Sequence, residues 1–236
     1  MRRTAVQLVF VLGFTGLGIL FVVFPTVDLW FTGLFYDGVR GFYLSGAWWV
    51  RLFYHLIPVI TTCVVLGLLA LLACALIRKR AVGPFNTRVV LYLLATLALG
   101  PGLVVHTVFK DHWGRARPRD VIEFGGDKTF TPAFVISDQC DRNCSFVAGH
   151  PSMGFYFFAL AFLARRRRYR LYLAAGGFGG LVGLGRIAQG AHFLSDVIFS
   201  GVFVFVVAYI LYYCLLRPET AEAGQAPDRE PSHPPA

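Results

Sequence analysis

Charge is scarce in this chain: of 236 residues only 15% are Asp, Glu, Lys or Arg, and just 13 of these are acidic. A water-soluble globule needs more polar surface than that. The shortage excludes a cytosolic enzyme, a disordered chain and a coiled coil. A small-x-small cleavage site is also missing after the first apolar run, so that run reads as an anchor rather than a removable signal peptide. In place of charge there is apolar bulk. Hydrophobic residues make up 56%, aromatics 16%, and the mean hydropathy is +0.62. The charges present are unbalanced, with a net charge of +9 and a pI near 9.6. They sit beside apolar runs, where they read as membrane-topology signals rather than as a nucleic-acid surface.

Crossing roughly 30 Å of hydrocarbon takes about 20 helical residues. Six stretches approach that length: 5–24, 56–77, 89–109, 146–164, 171–187 and 194–216. The fifth is short and glycine-rich, which lowers helix propensity but lets neighbouring helices come close. The expected fold is therefore all-α, a polytopic six-helix transmembrane bundle over 1–217. With the N-terminus inside, the inner segments hold 13 of the 22 basic residues, in short turns such as RKR and RRRRYR. Both termini are accordingly expected in the cytoplasm. The loop 110–145, between the third and fourth spans, falls outside. Residues 25–55 are also external and carry Trp30, Phe31, Phe35, Tyr36, Trp48 and Trp49, rings suited to the headgroup layer. Residues 218–236 have no apolar periodicity and are rich in proline, which predicts a disordered cytoplasmic tail, His233 included.

Cys63, Cys74 and Cys214 fall within spans, where a thiol behaves as a small apolar group. Cys140 and Cys144 form a C-x3-C pair in the outer loop, which favours a disulfide over free thiols; a zinc site would need two further ligands nearby.

Ionisable residues at membrane depth or at helix ends are expensive and so mark function. KDHWGRARP places Lys110, Arg115 and Arg117 at the outer end of the third span. SFVAGHPS places Ser145 and His150 at the outer start of the fourth, and GRIAQGAHFLSD places Arg186, His192 and Asp196 around the outer turn between the fifth and sixth. Three segments distant in sequence thus converge on one membrane face. Lys110, Arg117 and Arg186 supply cations and forked donors suited to phosphate oxygens. Gly149 lets an anion approach the amides that open the fourth helix. His192 and Asp196, four apart, share a helix face on which a carboxylate can orient an imidazole. Such a histidine is a nucleophile toward phosphorus, and His150 is then the acid that protonates the leaving oxygen. Taken singly, a basic residue at a helix end is more often a snorkelling anchor. His55, His106 and His112 read as structural, and Arg115 and Asp111 fit either the site or a solvated loop.

These segments resemble the signature of the type 2 phosphatidic acid phosphatase superfamily, which also includes vanadium-dependent haloperoxidases and bacterial acid phosphatases. K-x6-R-P is met by Lys110, Arg117 and Pro118. S-R-x5-H-x3-D is met by Arg186, His192 and Asp196, with Gly185 in place of the serine. P-S-G-H is met only by Gly149 and His150, with Val147 and Ala148 before them. The resemblance implies a metal-free helical bundle needing no cofactor. In it His192 is the nucleophile, Asp196 its orienting partner and His150 the general acid, and Lys110, Arg117, Arg186 and the 148–149 segment hold phosphate. The long loop and the C-x3-C ahead of the second motif are similar to bacterial lipid A 1-phosphatases and their relatives.

The expected activity is removal of a phosphate from a membrane lipid at the periplasmic face of a bacterial inner membrane. Lipid A, undecaprenyl diphosphate, phosphatidate and phosphatidylglycerophosphate are all open as substrates. Two rivals remain. One is a metallohydrolase with His150, His192 and Asp196 as ligands, which chelator sensitivity distinguishes. The other is a phosphate or phospholipid transporter or binding protein, which should carry its charges near the bilayer midplane. At Ala148 a family serine would donate to phosphate, so Ala148→Ser is expected to raise turnover.

Overall fold

A computed structural model describes residues 2–79, 83, 85–164 and 166–216. The expected tail and the basic residues Arg80, Arg165, Arg217 and Arg229 lie outside these. The chain is built almost wholly of helices. The first, α1 (Arg2–Val23), meets α2 (Thr26–Gly33) at a bend of 79°. Pro25 stands at the bend, where its missing N–H ends one helix and its fixed φ starts the next. A two-residue hairpin follows, β1 (Tyr36–Asp37) against β2 (Gly41–Phe42), antiparallel with Tyr36 opposite Phe42. Then come α3 (Trp48–Arg78) and α4 (Thr87–Leu97), the latter opened by the Asn86 side chain accepting from the Val89 amide at 2.9 Å. Without a break α4 widens into a π-helix over Ala98–Lys110. The sequence there is Gly100-Pro101-Gly102, and a proline inside a helix removes one rung of the usual ladder. The chain then runs through an irregular outer loop to α5 (Gly149–Phe155), α6 (Phe158–Leu163), α7 (Arg168–Ala188) and α8 (Leu194–Leu216).

Among the described residues, four helices are long and apolar enough to cross a membrane: Trp48–Arg78, Thr87–Lys110, Arg168–Ala188 and Leu194–Leu216. A fifth is present if the bent α1–α2 pair counts as one. Two expectations change. The fourth stretch, 146–164, is not one helix. Residues 146–148 are not helical, and α5 and α6 are separated at Tyr156 and Phe157, where Phe157 N bonds Gly154 O at 3.4 Å in a tighter turn. The stretch expected to be weak is instead a full helix of 21 residues, α7.

The glycines of α7 explain how it holds. A Cβ on Gly154 of α5 would lie 2.6 Å from Gly179 Cα, one on Gly179 would enter the Phe155 ring, and one on Gly183 would enter Val197 of α8. Here α5 and α7 meet backbone to backbone, while the Val197 side chain of α8 fills the notch at Gly183, so dispersion at close range holds the three together.

The segment 25–55 is more than a surface strip. Trp30 and Trp48 are exposed as a headgroup belt would be, but Asp28 of α2 is fully buried against α8. The outer loop is likewise drawn inward. Phe134, with its backbone in the left-handed region (φ 62°), places its ring 4.5 Å from Phe199 and 5.2 Å from Phe146, in an aromatic cluster shared with Phe14 and Phe203. Edge-to-face pairs of this kind add to what their buried area contributes.

Candidate active site

Four helix ends meet at one pole of the bundle: the last turn of the π-helix, the start of α5, the end of α7 and the start of α8. Lys110 closes the π-helix with its side chain 7% exposed, its ammonium donating to Cys144 O at 3.4 Å while Cys144 N donates to Lys110 O at 2.9 Å. Arg117 is half-buried, and its Nη2 donates to Asn143 O at 2.6 Å. Burial, then the neighbouring Arg119, lowers the Arg117 pKa from its ordinary value. Cys140 and Cys144 are bonded to each other, with Cα atoms 5.7 Å apart. The loop that this bond closes therefore presents the carbonyls that seat two of the three cations.

Arg186, in the last turn of α7, is 8% exposed. Its Nη1 donates to Gln189 Oε1, and its guanidinium lies 5.0 Å from the Tyr54 ring. Its Nε is buried and has no hydrogen-bond partner. A buried donor left unmatched costs free energy, and here it belongs to a group suited to an anion's oxygens. The other face of the site holds His150, stacked on Tyr54 with centroids 5.1 Å apart and planes 12° from parallel. Tyr54 thus touches both the general-acid candidate and a phosphate-binding candidate.

His192 lies in the turn between α7 and α8, 1% exposed. Its Nδ1 is 2.7 Å from Ser145 O and 3.7 Å from Asp196 Oδ2. A carbonyl only accepts, so Nδ1 carries the proton and Nε2 keeps its lone pair. Burial pushes the imidazole down to about 3, with the Asp196 carboxylate pulling the other way. The ring is therefore neutral at physiological pH, as a nucleophile must be.

Asp196 lies further from the ring than its four-residue spacing from His192 suggests. Its Oδ1 accepts from Arg115 Nη1 at 2.6 Å, and its Oδ2 accepts from Ser145 Oγ at 2.5 Å and from Phe193 N at 2.8 Å. The nearer partner of His192 is the Ser145 carbonyl, and the Ser145 hydroxyl is committed to Asp196 rather than to a ligand. Ala148, fully buried, spends its amide on Asp196 O at 3.1 Å and its carbonyl on Ser200 Oγ at 2.8 Å. Gly149, the first residue of α5, has its amide at the head of that helix. A Cβ there would come within 2.9 Å of the His106 ring, which explains the glycine.

His112 is exposed, with Nδ1 2.6 Å from Thr107 O, and His55 sits edge-on to Tyr54; neither joins the cluster. Asp111 Oδ1 accepts from Asn143 N at 3.3 Å, so it steadies the disulfide loop. No three His, Cys, Asp or Glu side chains converge as metal ligands among the described residues.

The stretch that carries the three cations, His150 and His192 matches a known family. The profile of the PAP2 superfamily covers residues 89–219, more than half of the chain. The chain belongs to the PAP2 superfamily. Among relatives, the lipid A 4′-phosphatase of Francisella tularensis subsp. novicida (strain U112) is 41% identical over 209 residues, covering 84% of this chain and 90% of that protein. Lipid A 4′-phosphatases of Rhizobium leguminosarum and Rhizobium etli are 41% and 40% identical over 106 and 105 residues, under half of each chain. All three are named lipid A 4′-phosphatase, not the 1-phosphatase expected from the outer loop and its C-x3-C. No solved structure matches the chain.

Proposed function

We propose that this PAP2 protein removes a phosphate from lipid A, by preference the 4′-phosphate, at the periplasmic face of a bacterial inner membrane. The observation that carries the reading is the anchoring of His192 Nδ1 on the Ser145 carbonyl, which leaves the lone pair on Nε2 of a ring that feels the charges of Lys110 and Arg186. Substrate identity draws support from the Francisella relative, which covers most of the chain.

The steps follow from the placement. The three cations and the Gly149 amide hold the phosphate oxygens, and this positive field stabilises charge gathering on phosphorus in the transition state. His192 Nε2 attacks phosphorus while the bond to the sugar oxygen breaks, and His150 gives that oxygen its proton. The products of this half are the dephosphorylated lipid and a phosphohistidine. Water then attacks phosphorus, His150 takes the water's proton, and inorganic phosphate leaves with His192 restored. No step calls for a metal or cofactor.

The same reading places the bundle. The four clear spans, the bent α1–α2 pair and the broken α5–α6 pair make six crossings, with both termini in the cytoplasm and the outer loop in the periplasm. A membrane-borne headgroup then meets the site at the bilayer surface, flanked by Trp30 and Trp48.

The test is phosphate release by the purified, detergent-solubilised protein from lipid A, undecaprenyl diphosphate, phosphatidate and phosphatidylglycerophosphate, with EDTA throughout. Release from lipid A, reduced about a thousandfold or more in His192→Ala, is the expected result, since removing a nucleophile costs at least that much. Preference for another lipid corrects the substrate. Loss of activity with EDTA restores the metallohydrolase, and no release from any lipid restores the binding or transport reading.

A further inference from the structure

The steps above leave a buried polar chain behind His192 unused. Arg115 is fully buried, with its guanidinium spread across four partners. Nη2 pairs with Asp28 Oδ2 at 2.9 Å, Nη1 with Asp196 Oδ1 at 2.6 Å and Ser195 Oγ at 2.9 Å, and Nε donates to Thr131 O at 2.8 Å. The Phe193 ring lies 4.3 Å from its centre. Asp28 is fully buried too; its Oδ1 accepts from Ser195 N at 2.8 Å and its Oδ2 from Ser195 Oγ at 2.5 Å. A residue of α2 therefore caps the start of α8 from 167 positions away.

Two carboxylates share one guanidinium, so each fixes where the other can sit. A buried carboxylate with its partner removed is uncompensated and moves to whatever donor is left. Besides Ser145 Oγ and Phe193 N, which already hold Oδ2, the donor within reach of Asp196 is His192 Nδ1, now 3.7 Å away. Arg115 and Ser145 hold Asp196 back from that contact. Nδ1–H consequently keeps donating to the Ser145 carbonyl, and the ring stays aimed as it is. Arg115 is itself held in line by Asp28.

We propose that Asp28 is a positioning residue for the nucleophile, acting through Arg115 on Asp196 and thereby on Ser145 and His192. It touches neither substrate nor reacting atoms. The proposal rests on the reading of His192 as nucleophile and adds α2, outside the stretch matched by the superfamily profile, to the machinery.

A residue that only fastened α2 to the bundle would leave turnover alone or act independently of Asp196. Steady-state kinetics on lipid A with the full chain in detergent separate the two, using wild type, Asp28→Asn, Asp196→Asn and the double variant. Expected is a fall in kcat of tenfold or more in Asp28→Asn with KM within twofold of wild type. In the Asp196→Asn background the same change should cost less than twofold, because the path is already cut. A kcat within twofold of wild type, or an undiminished tenfold loss in that background, overturns the proposal. Should Asp28→Asn not fold, Asp28→Glu keeps the charge but shifts it by one methylene. A severalfold loss of kcat at constant KM is then expected, and wild-type kcat overturns it. Should wild type itself release no phosphate, the lipid phosphatase reading fails separately. Nitrogen-15 NMR of His192 still decides this one: in Asp28→Asn the Nδ1–H should be kept but its resonances should shift as it leaves the Ser145 carbonyl for the Asp196 carboxylate, and Nδ1–H resonances unchanged from wild type overturn the proposal.

Discussion

His192 shows how burial can prepare a side chain for chemistry. Its imidazole is pushed down to about 3 mainly because water is excluded from around it. Its proton affinity in the folded state lies below that of a free histidine, so the ring should remain neutral as pH falls from 8 to 5. Histidine-selective NMR of the substrate-free protein, with the signal assigned by its loss in His192→Ala, checks this; a midpoint between 6 and 7 contradicts it. Arg115 carries a stability prediction. Arg115→Ala leaves Asp28 and Asp196 buried with no cation between them, and breaking such a pair costs about 3–5 kcal/mol, readable as a lowered melting temperature in detergent. Ala148→Ser is expected to raise kcat by about one to two decades if the hydroxyl reaches phosphate, since a charge-assisted bond contributes about 1.5–3 kcal/mol. An unchanged or lower rate means that the buried 148 side chain does not face the anion. Lys110, Arg117, His150, Arg186, His192 and Asp196 were legible in the sequence because the three short segments that carry them adjoin the ends of apolar runs. Asp28 was not, because a carboxylate whose partners are all distant in sequence leaves no local pattern. Tyr54 was hidden differently. An aromatic near a helix start reads as belt, and only the fold shows it stacked on His150.

At the scale of elements, the tight triple contact of α5, α7 and α8 carries the geometry of both histidines, since His150 opens α5 and His192 lies between α7 and α8. Gly179→Ala would drive a methyl group into the Phe155 ring. Overpacking of this kind costs about 1–3 kcal/mol. The expected result is a lower melting temperature together with a loss of turnover, because the two histidine-bearing ends are forced apart. Gly177, which faces open space, serves as the control, its alanine variant losing little of either. The glycines of α7 were legible as a close-packing face, but the length of α7 was underestimated because helix propensity is a weak prior against burial. The break between α5 and α6 left no trace in an apolar count. The π-helical turn around Pro101 left only a hint, since a proline announces a disturbance without saying whether the helix bends or widens.

For the whole molecule, orientation is the quantity that ties the parts together. With Cys63, Cys74 and Cys214 replaced, a single cysteine at Glu123 in the outer loop should react with a membrane-impermeant maleimide in intact spheroplasts. One at Lys79, beyond the inner end of α3, should react only after lysis. The reverse pattern would turn the site toward the cytoplasm. Hydropathy made the long apolar helices readable, whereas the inward course of α2 and of the loop bearing Phe134 depends on long-range packing that no window of sequence contains.

The polar chain behind His192 draws on α2, the outer loop and α8, so its members leave the ribosome in the order Asp28, Arg115, Ser145, Asp196. Until the last helix joins the others, Ser145 has no carboxylate to hold and the histidine itself has not been delivered. A half-synthesised chain, though already among lipids, is therefore inert toward them, and hydrolysis begins only with the completed protein.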